Sequence, residues 1–122
     1  MNKSHSMVSV IMGVNRDDGS LLRSIESILR QTHNDLEFVI VNDGSSEDVK
    51  GLVSEILDDR IVLINSEKIG LTAALNIALK KTKGRYIARH DAGDYSLKDR
   101  LNEQIKFLKQ NPAISMLSLI HI

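Results

Sequence analysis

Asp91 and Asp94 stand three residues apart in the stretch Arg-Tyr-Ile-Ala-Arg-His-Asp-Ala-Gly-Asp, residues 85–94, where a short apolar run stops abruptly at two carboxylates. Two carboxylates about 5 Å apart, at an effective dielectric near 20, repel by roughly 3 kcal/mol, so a turn that keeps both ionised asks for a cation. A divalent metal is the natural candidate, and Ala92 and Gly93 leave room for a bulky group against the backbone between the acids. The same two residues can instead cap the helix that follows, because Asp is favoured at N-caps. On this stretch alone both readings stand. A second acidic turn, Asn42-Asp43-Gly44-Ser45-Ser46, also ends an apolar run, although Asp-Gly by itself is a common turn dipeptide. Arg89 beside Asp91 is open to reading as a plain ion pair, and Arg100 as a solvated helix residue. His90 falls on the opposite strand face from Asp91 and reads as structural.

These residues need a frame. Met7–Met12 is apolar and β-branched, the pattern of a strand buried on both faces, and Gly13, Asn15 and Asp17-Asp18-Gly19 end it. Ser20 is the expected N-cap of a helix closing near Thr32, with Leu21, Leu22, Ile25, Ile28 and Leu29 at three- and four-residue steps. Leu36–Val41 is a second strand, followed by a helix through Val49, Leu52, Val53, Ile56 and Leu57 with Ser45 or Ser46 as its cap. Arg60–Ile64 is a short third strand, Ala73–Lys81 a third helix opened by Gly70-Leu71-Thr72, and Gly84 is placed to stop it. Tyr86–Ala88 is the fourth strand. A helix from about Leu97 to Lys109 follows, Asn111-Pro112 breaks it, and Ala113–Ile122 is a fifth apolar strand.

Alternating buried strands and helices predict a doubly wound α/β fold, a mostly parallel sheet with helices on both faces in three α/β/α layers. Right-handed crossovers put the strand carboxyl ends on one edge. That edge gathers Asn15 and Asp17, then Asp43 to Ser46, then His90 to Asp94. Ligands in such folds bind outside the carboxyl ends, where the strand order reverses.

Composition narrows the chemistry. The 122 residues make one domain, with residues 1–6 a polar, disordered tail and 7–122 the folded unit. Lys plus Arg and Asp plus Glu both number 16, so no bulk positive field attracts nucleic acid or an anionic membrane. There is no cysteine, hence no disulfide, thiolate nucleophile or Cys-type zinc site, and histidines 5, 33, 90 and 121 lack metal-ligand spacing. No apolar run approaches the length of a transmembrane helix, no signal peptide is visible, and the expected location is the cytoplasm, with the inner face of the membrane as a further possibility. Neither a G-x-G-x-x-G after the first strand nor a P-loop is present. An acidic residue after strand two can hydrogen-bond a base or ribose, and carboxylates after strand four can hold a metal against a diphosphate. Together they describe a site for a nucleotide diphosphate compound.

Val8-Ser-Val-Ile-Met12, Ser27-Ile-Leu-Arg-Gln-Thr32, Phe38-Val-Ile-Val-Asn-Asp-Gly-Ser45, Gly70-Leu71 with Leu75-Asn76, and Gly84 through Asp94 with Arg100-Leu101 and Gln104 closely resemble the family 2 glycosyltransferases. The resemblance is collinear from about residue 7 to residue 116. It implies a GT-A fold, a nucleotide-diphospho-sugar donor, a glycan or lipid-linked acceptor of cell-envelope polysaccharide assembly, and a divalent cation, Mg or Mn, bridging carboxylate and diphosphate. On that resemblance Asp43 contacts the nucleobase and Asp94 is the metal-side carboxylate. Asp91 belongs to the same acidic motif, near ribose, sugar and metal. Asn15 and Arg89 are secondary contacts to the nucleotide or donor sugar.

Three positions depart from the family pattern. Gly93 stands where the second Asp of a D-x-D is common, Gly13 where a Pro is common, and Ile69 where an Asn is common. The resemblance covers only the nucleotide-binding half, so the general base of an inverting member has no counterpart here, no catalytic residue is assigned, and the chain is expected to be truncated at its C-terminus, with Leu117–Ile122 foreign to the natural protein. Two other classes remain: a degenerate sugar-nucleotide-binding module and, more distantly, a phosphoacceptor signalling domain.

Overall fold

The structure, a computed structural model, describes residues 7–110 and the backbone of strand residues 119–121. The expected tail, residues 1–6, and most of the expected fifth strand lie outside the described residues. Five strands form one parallel sheet: β1 (Val8–Val14), β2 (Leu36–Asp43), β3 (Ile61–Ser66), β4 (Tyr86–Arg89) and β5 (Leu119–His121), in the spatial order β3-β2-β1-β4-β5. Among the described residues, four helices connect them: α1 (Leu21–Leu29), α2 (Glu47–Ser54), α3 (Leu71–Lys80) and α4 (Arg100–Gln110). The doubly wound α/β expectation holds.

The strands are apolar on both faces because both faces are covered. Val8, Val10, Met12 and Val14 of β1 join Phe38 and Ile40 of β2 and Ala88 of β4 in one core, packed by α1, α2 and α4 through Ile25, Ile28, Val49, Leu101 and Ile105. The opposite face is thinner. Among the described residues, the helix that Ile11, Val39 and Val41 meet is α3, through Ala74 and Ala78. Small residues on that helix let its axis approach the sheet, and Gly13 lets it come closer: a Cβ there would lie 2.8 Å from Leu71 Cδ1.

Several local boundaries differ from the sequence expectation. Gly13 does not end β1 but pairs with Val41, one rung before Val14 pairs with Asn42. Asn42 and Asp43 belong to β2, opposite Asn65 and Ser66 of β3, so the acidic turn starts only at Gly44. Ser20 and Ser46 occupy N-cap positions without a side-chain cap bond. Instead Asp18 Oδ1 accepts from the Ser20 amide at 3.0 Å, and Asn42 Oδ1 accepts from the Ser46 amide at 3.1 Å. α2 stops before Leu57, which is exposed, and α4 starts three residues later than Leu97.

Gly84 does not stop α3, which ends at Lys80. It sits against β1, where its amide donates to Ser9 Oγ at 2.7 Å. Ser9 Oγ in turn donates to the buried Glu37 Oε2 at 2.5 Å, and Glu37 Oε2 also accepts the Lys83 amide. This polar cluster fastens the α3–β4 connection to the amino end of the sheet, opposite the edge that carries the acidic turns. Among the described residues no helix is long and apolar enough to cross a membrane.

Candidate functional site

Strand order reverses between β1 and β4, and the crevice there is the expected ligand position. A cavity of about 390 Å³ opens at that point. The loop after β1 lines it with Asn15, Arg16 and Asp18, the end of β2 with Asp43, the β3–α3 loop with Lys68 and Gly70, and the end of β4 with Arg89, Asp91, Ala92 and Gly93. Four of the five residues singled out from the sequence, Asn15, Asp43, Arg89 and Asp91, therefore line one cavity. Asp94 lines a neighbouring cavity of about 1130 Å³ together with Tyr95, Arg100, Gln104 and Phe107.

Asp43 is buried, and both of its carboxylate oxygens are engaged. Oδ1 accepts from the Ile69 amide at 2.7 Å and Oδ2 from the Gly70 amide at 3.1 Å. Gly70 takes φ 92° at the N-cap of α3, a conformation that glycine enters without steric cost. The carboxylate thus faces the positive end of a helix and fixes the loop that carries Lys68. Each oxygen retains a second lone pair for a ligand.

Arg89 Nε donates to Asp91 Oδ1 at 2.7 Å, so the two are an ion pair at the cavity wall. The Asp91 side chain is 44% exposed. Asp91 to Asp94 form a tight turn closed by the Asp94 amide on the Asp91 carbonyl at 3.0 Å. Gly93 holds its third position with φ 94°, as a type II turn requires.

Among the described residues no group of three or more His, Cys, Asp or Glu side chains could by itself hold a metal ion. One or two carboxylates completed by diphosphate oxygens are nevertheless the usual surroundings of Mg, which binds through its substrate rather than in an all-protein cage. Asp91, on the first cavity, and Asp94, on the neighbouring one, are the carboxylates this turn offers to such a donor set.

Two further basic groups at the cavity, Arg16 and Lys68, were not singled out from the sequence. Arg16 and Lys68 also line a smaller adjoining recess with Asn15 and Asp43. A lone Arg in a polar loop and a Lys three residues before a helix carry no spacing signal; only the fold brings them together.

The Ser27–Thr32 motif has a role that spacing also did not reveal. Ser27 Oγ accepts from the Ser96 amide at 3.0 Å, while Gln31 Nε2 donates to the Leu97 carbonyl at 2.7 Å and Gln31 Oε1 accepts from the Leu101 amide at 3.0 Å. Thr32 Oγ1 donates to Asp99 Oδ1 at 2.9 Å. The end of α1 and the residues just after it thus form a ladder that holds the segment from the acidic turn to α4. His90, fully buried, lies between Ser24 and Ser96, and burial pushes its pKa down. Arg100 is also lowered, to about 10, by burial, with the charge of Asp94 opposing.

The profile described as glycosyl transferase family 2 matches residues 9–122. The O-antigen biosynthesis glycosyltransferase WbnJ of Escherichia coli is 42% identical over 108 residues, covering 86% of this chain and 42% of WbnJ. The E. coli UDP-Glc:alpha-D-GlcNAc-diphosphoundecaprenol beta-1,3-glucosyltransferase WfaP is 36% identical over 104 residues, covering 84% of this chain and 41% of WfaP. Among solved structures, the mannosyltransferase PcManGT from Pyrobaculum calidifontis, in complex with GDP-Man and Mn2+, superposes with a TM-score of 0.72 at 25% identity over 83% of this chain and 32% of its own. TarS from S. aureus shares the fold, with a TM-score of 0.72 at 22% identity over 86% of this chain and 20% of its own. The chain spans less than half the length of these curated relatives.

Proposed function

The chain belongs to glycosyl transferase family 2, and from that membership we propose that it forms the donor-binding part of a GT-A glycosyltransferase. In this reading it binds a nucleotide-diphospho-sugar with a divalent cation, Mg or Mn. The observation that carries the proposal is the convergence of Asn15, Asp43, Arg89 and Asp91 on one cavity at the point where strand order reverses. PcManGT, with GDP-Man and Mn2+, supports the same class of ligand.

Asp43 offers its remaining lone pairs to N–H groups of the nucleobase, while its bonds to the Ile69 and Gly70 amides keep it aimed. Asn15 contacts the nucleotide or donor sugar from the loop after β1. Arg16, Lys68 and Arg89 surround the cavity with positive charge that offsets a diphosphate. Arg89 also holds Asp91 in place through their ion pair. Asp91 and Asp94 are the residues that would hold the metal, which when bound would supply charge stabilisation for the departing nucleoside diphosphate. The acceptor is a glycan or lipid-linked saccharide of cell-envelope polysaccharide assembly, in keeping with the names of WbnJ and WfaP, and the reaction takes place in the cytoplasm or at the inner face of the membrane. No general base is assigned among these residues.

Hydrogen exchange on the full chain, with UDP- or GDP-sugar and Mn, tests the proposal. The amides of residues 13–18, 43–46, 68–71 and 89–94 are expected to gain protection together. Protection confined to other segments, or none with either nucleotide, would overturn it.

A further inference from the structure

The donor-site proposal leaves a chain of buried hydrogen bonds unused. Arg100 Nη1 lies 3.0 Å from Ser96 Oγ, Ser96 Oγ lies 3.2 Å from His90 Nδ1, and His90 Nε2 lies 2.8 Å from Ser24 Oγ. The His90 ring packs edge-on against Phe38, with centroids 6.4 Å apart, so it has little room to turn. The chain has a direction. A guanidinium only donates, so Ser96 Oγ accepts from Arg100, and its own proton is then directed at His90 Nδ1. A neutral imidazole whose Nδ1 accepts carries its proton on Nε2, which donates to Ser24 Oγ. With the opposite tautomer the Ser96 proton would need an acceptor other than His90.

The residues joined in this way bracket the acidic turn. His90 immediately precedes Asp91, and its amide is fixed to the Ile11 carbonyl of β1 at 3.0 Å. Ser96 follows Asp94 by two positions, and its amide is held by α1. Both ends of the turn are therefore referenced to α1, α4 and β1, which leaves Asp91 on the nucleotide cavity and Asp94 on the cavity of Arg100.

We propose that His90 is a positioning residue for the acidic turn, locked as the Nε2–H tautomer by Arg100 through Ser96. The proposal rests on the donor-site reading for its effect on ligand binding, but the tautomer and the turn geometry are measurable without any ligand. Nitrogen-15 NMR of the full chain should show His90 protonated at Nε2 and bare at Nδ1. In Ser96→Ala that preference should be lost, and the amide shifts of Ala92, Gly93 and Asp94 should move while those of Gly44 and Gly70 stay fixed. The Mn-dependent part of UDP- or GDP-sugar affinity should fall about tenfold in His90→Ala. It should recover to within about twofold in His90→Gln, whose amide can replace the Nε2 donor. An Nδ1–H tautomer in the unaltered chain would overturn the proposal. So would unmoved turn amides in Ser96→Ala, or shifts spread equally to Gly44 and Gly70. If the unaltered chain binds no donor, the donor-site reading fails, and the tautomer and turn shifts alone decide the positioning role.

Discussion

Asp43 Oδ2 accepts the backbone N–H of Gly70 at 3.1 Å across 27 positions of sequence, so the carboxylate that ends β2 is also the anion at the start of α3. A single side chain therefore both faces the cavity and fixes one of its walls.

Asp43→Ala is expected to lower stability by about 2–3 kcal/mol, because two amides lose a charged acceptor in a buried place. Nucleotide affinity should fall more than tenfold in the same variant. Urea unfolding and amide exchange at Ile69 and Gly70 check the first part, and equilibrium binding the second. An unchanged Gly70 amide would contradict the coupling.

Two glycines, both read from the sequence as chain breakers, should respond differently to an added methyl group. At Gly84 a Cβ would meet Ser9 Oγ at 2.6 Å and backbone atoms of Met7 and Ser9 at 2.8 Å, and the backbone atoms cannot move without shifting the start of β1. At Gly13 it would meet Leu71 Cδ1 at 2.8 Å, the end of a flexible, exposed side chain. Gly84→Ala should cost about 2–3 kcal/mol and Gly13→Ala under about 1 kcal/mol in denaturant titrations. Equal costs would contradict the packing described.

The contrast shows what was legible in the residues themselves. The alternation of buried runs and helical faces was readable, because Val8 to Met12 and Phe38 to Val41 are apolar on both faces, as a covered parallel strand demands. Asn15, Asp43 and Arg89 were readable by their place at or just past the carboxyl ends of strands. Gly84 was not, because its reason is a contact with Ser9, 75 positions away. Nor was the work of Gln31, whose partners Leu97 and Leu101 offer only backbone groups that leave no mark in the side-chain pattern. Asp91 and Asp94 stand only three positions apart, yet they line two cavities on either side of the tight turn at Gly93, which composition does not encode.

Gly93→Asp should show opposing effects. The new side chain adds a carboxylate at the cavity wall, with Ser20 Oγ 3.4 Å from its Cβ, and should strengthen Mn-dependent donor binding. Its φ of 94° costs a non-glycine residue about 1–2 kcal/mol, visible as a lower unfolding midpoint. Stronger binding without a stability loss would contradict the strained turn.

Asp58 and Arg60 give a pH dependence. Asp58 Oδ2 pairs with Arg60 Nη2 at 2.8 Å, and the hydrogen bond from Arg60 holds the Asp58 carboxyl below its usual 3.8. A lowered folded-state pKa contributes stability that is present above 3.8 and is lost as pH falls through the lower folded value. The difference in unfolding midpoint between the unaltered chain and Asp58→Asn should therefore be constant near neutrality and shrink below pH 3.8. A difference that grew on acidification would contradict this sign.

Calorimetric titration of UDP- and GDP-sugars, with and without Mn, on the unaltered chain and on Asp43→Ala and Asp94→Ala, tests the nucleotide-sugar site most directly. The account predicts Mn-enhanced binding of one nucleotide class, a loss of affinity with and without Mn in Asp43→Ala, and a loss confined to the Mn-dependent part in Asp94→Ala. Binding that is independent of Mn and unchanged by both substitutions would contradict it.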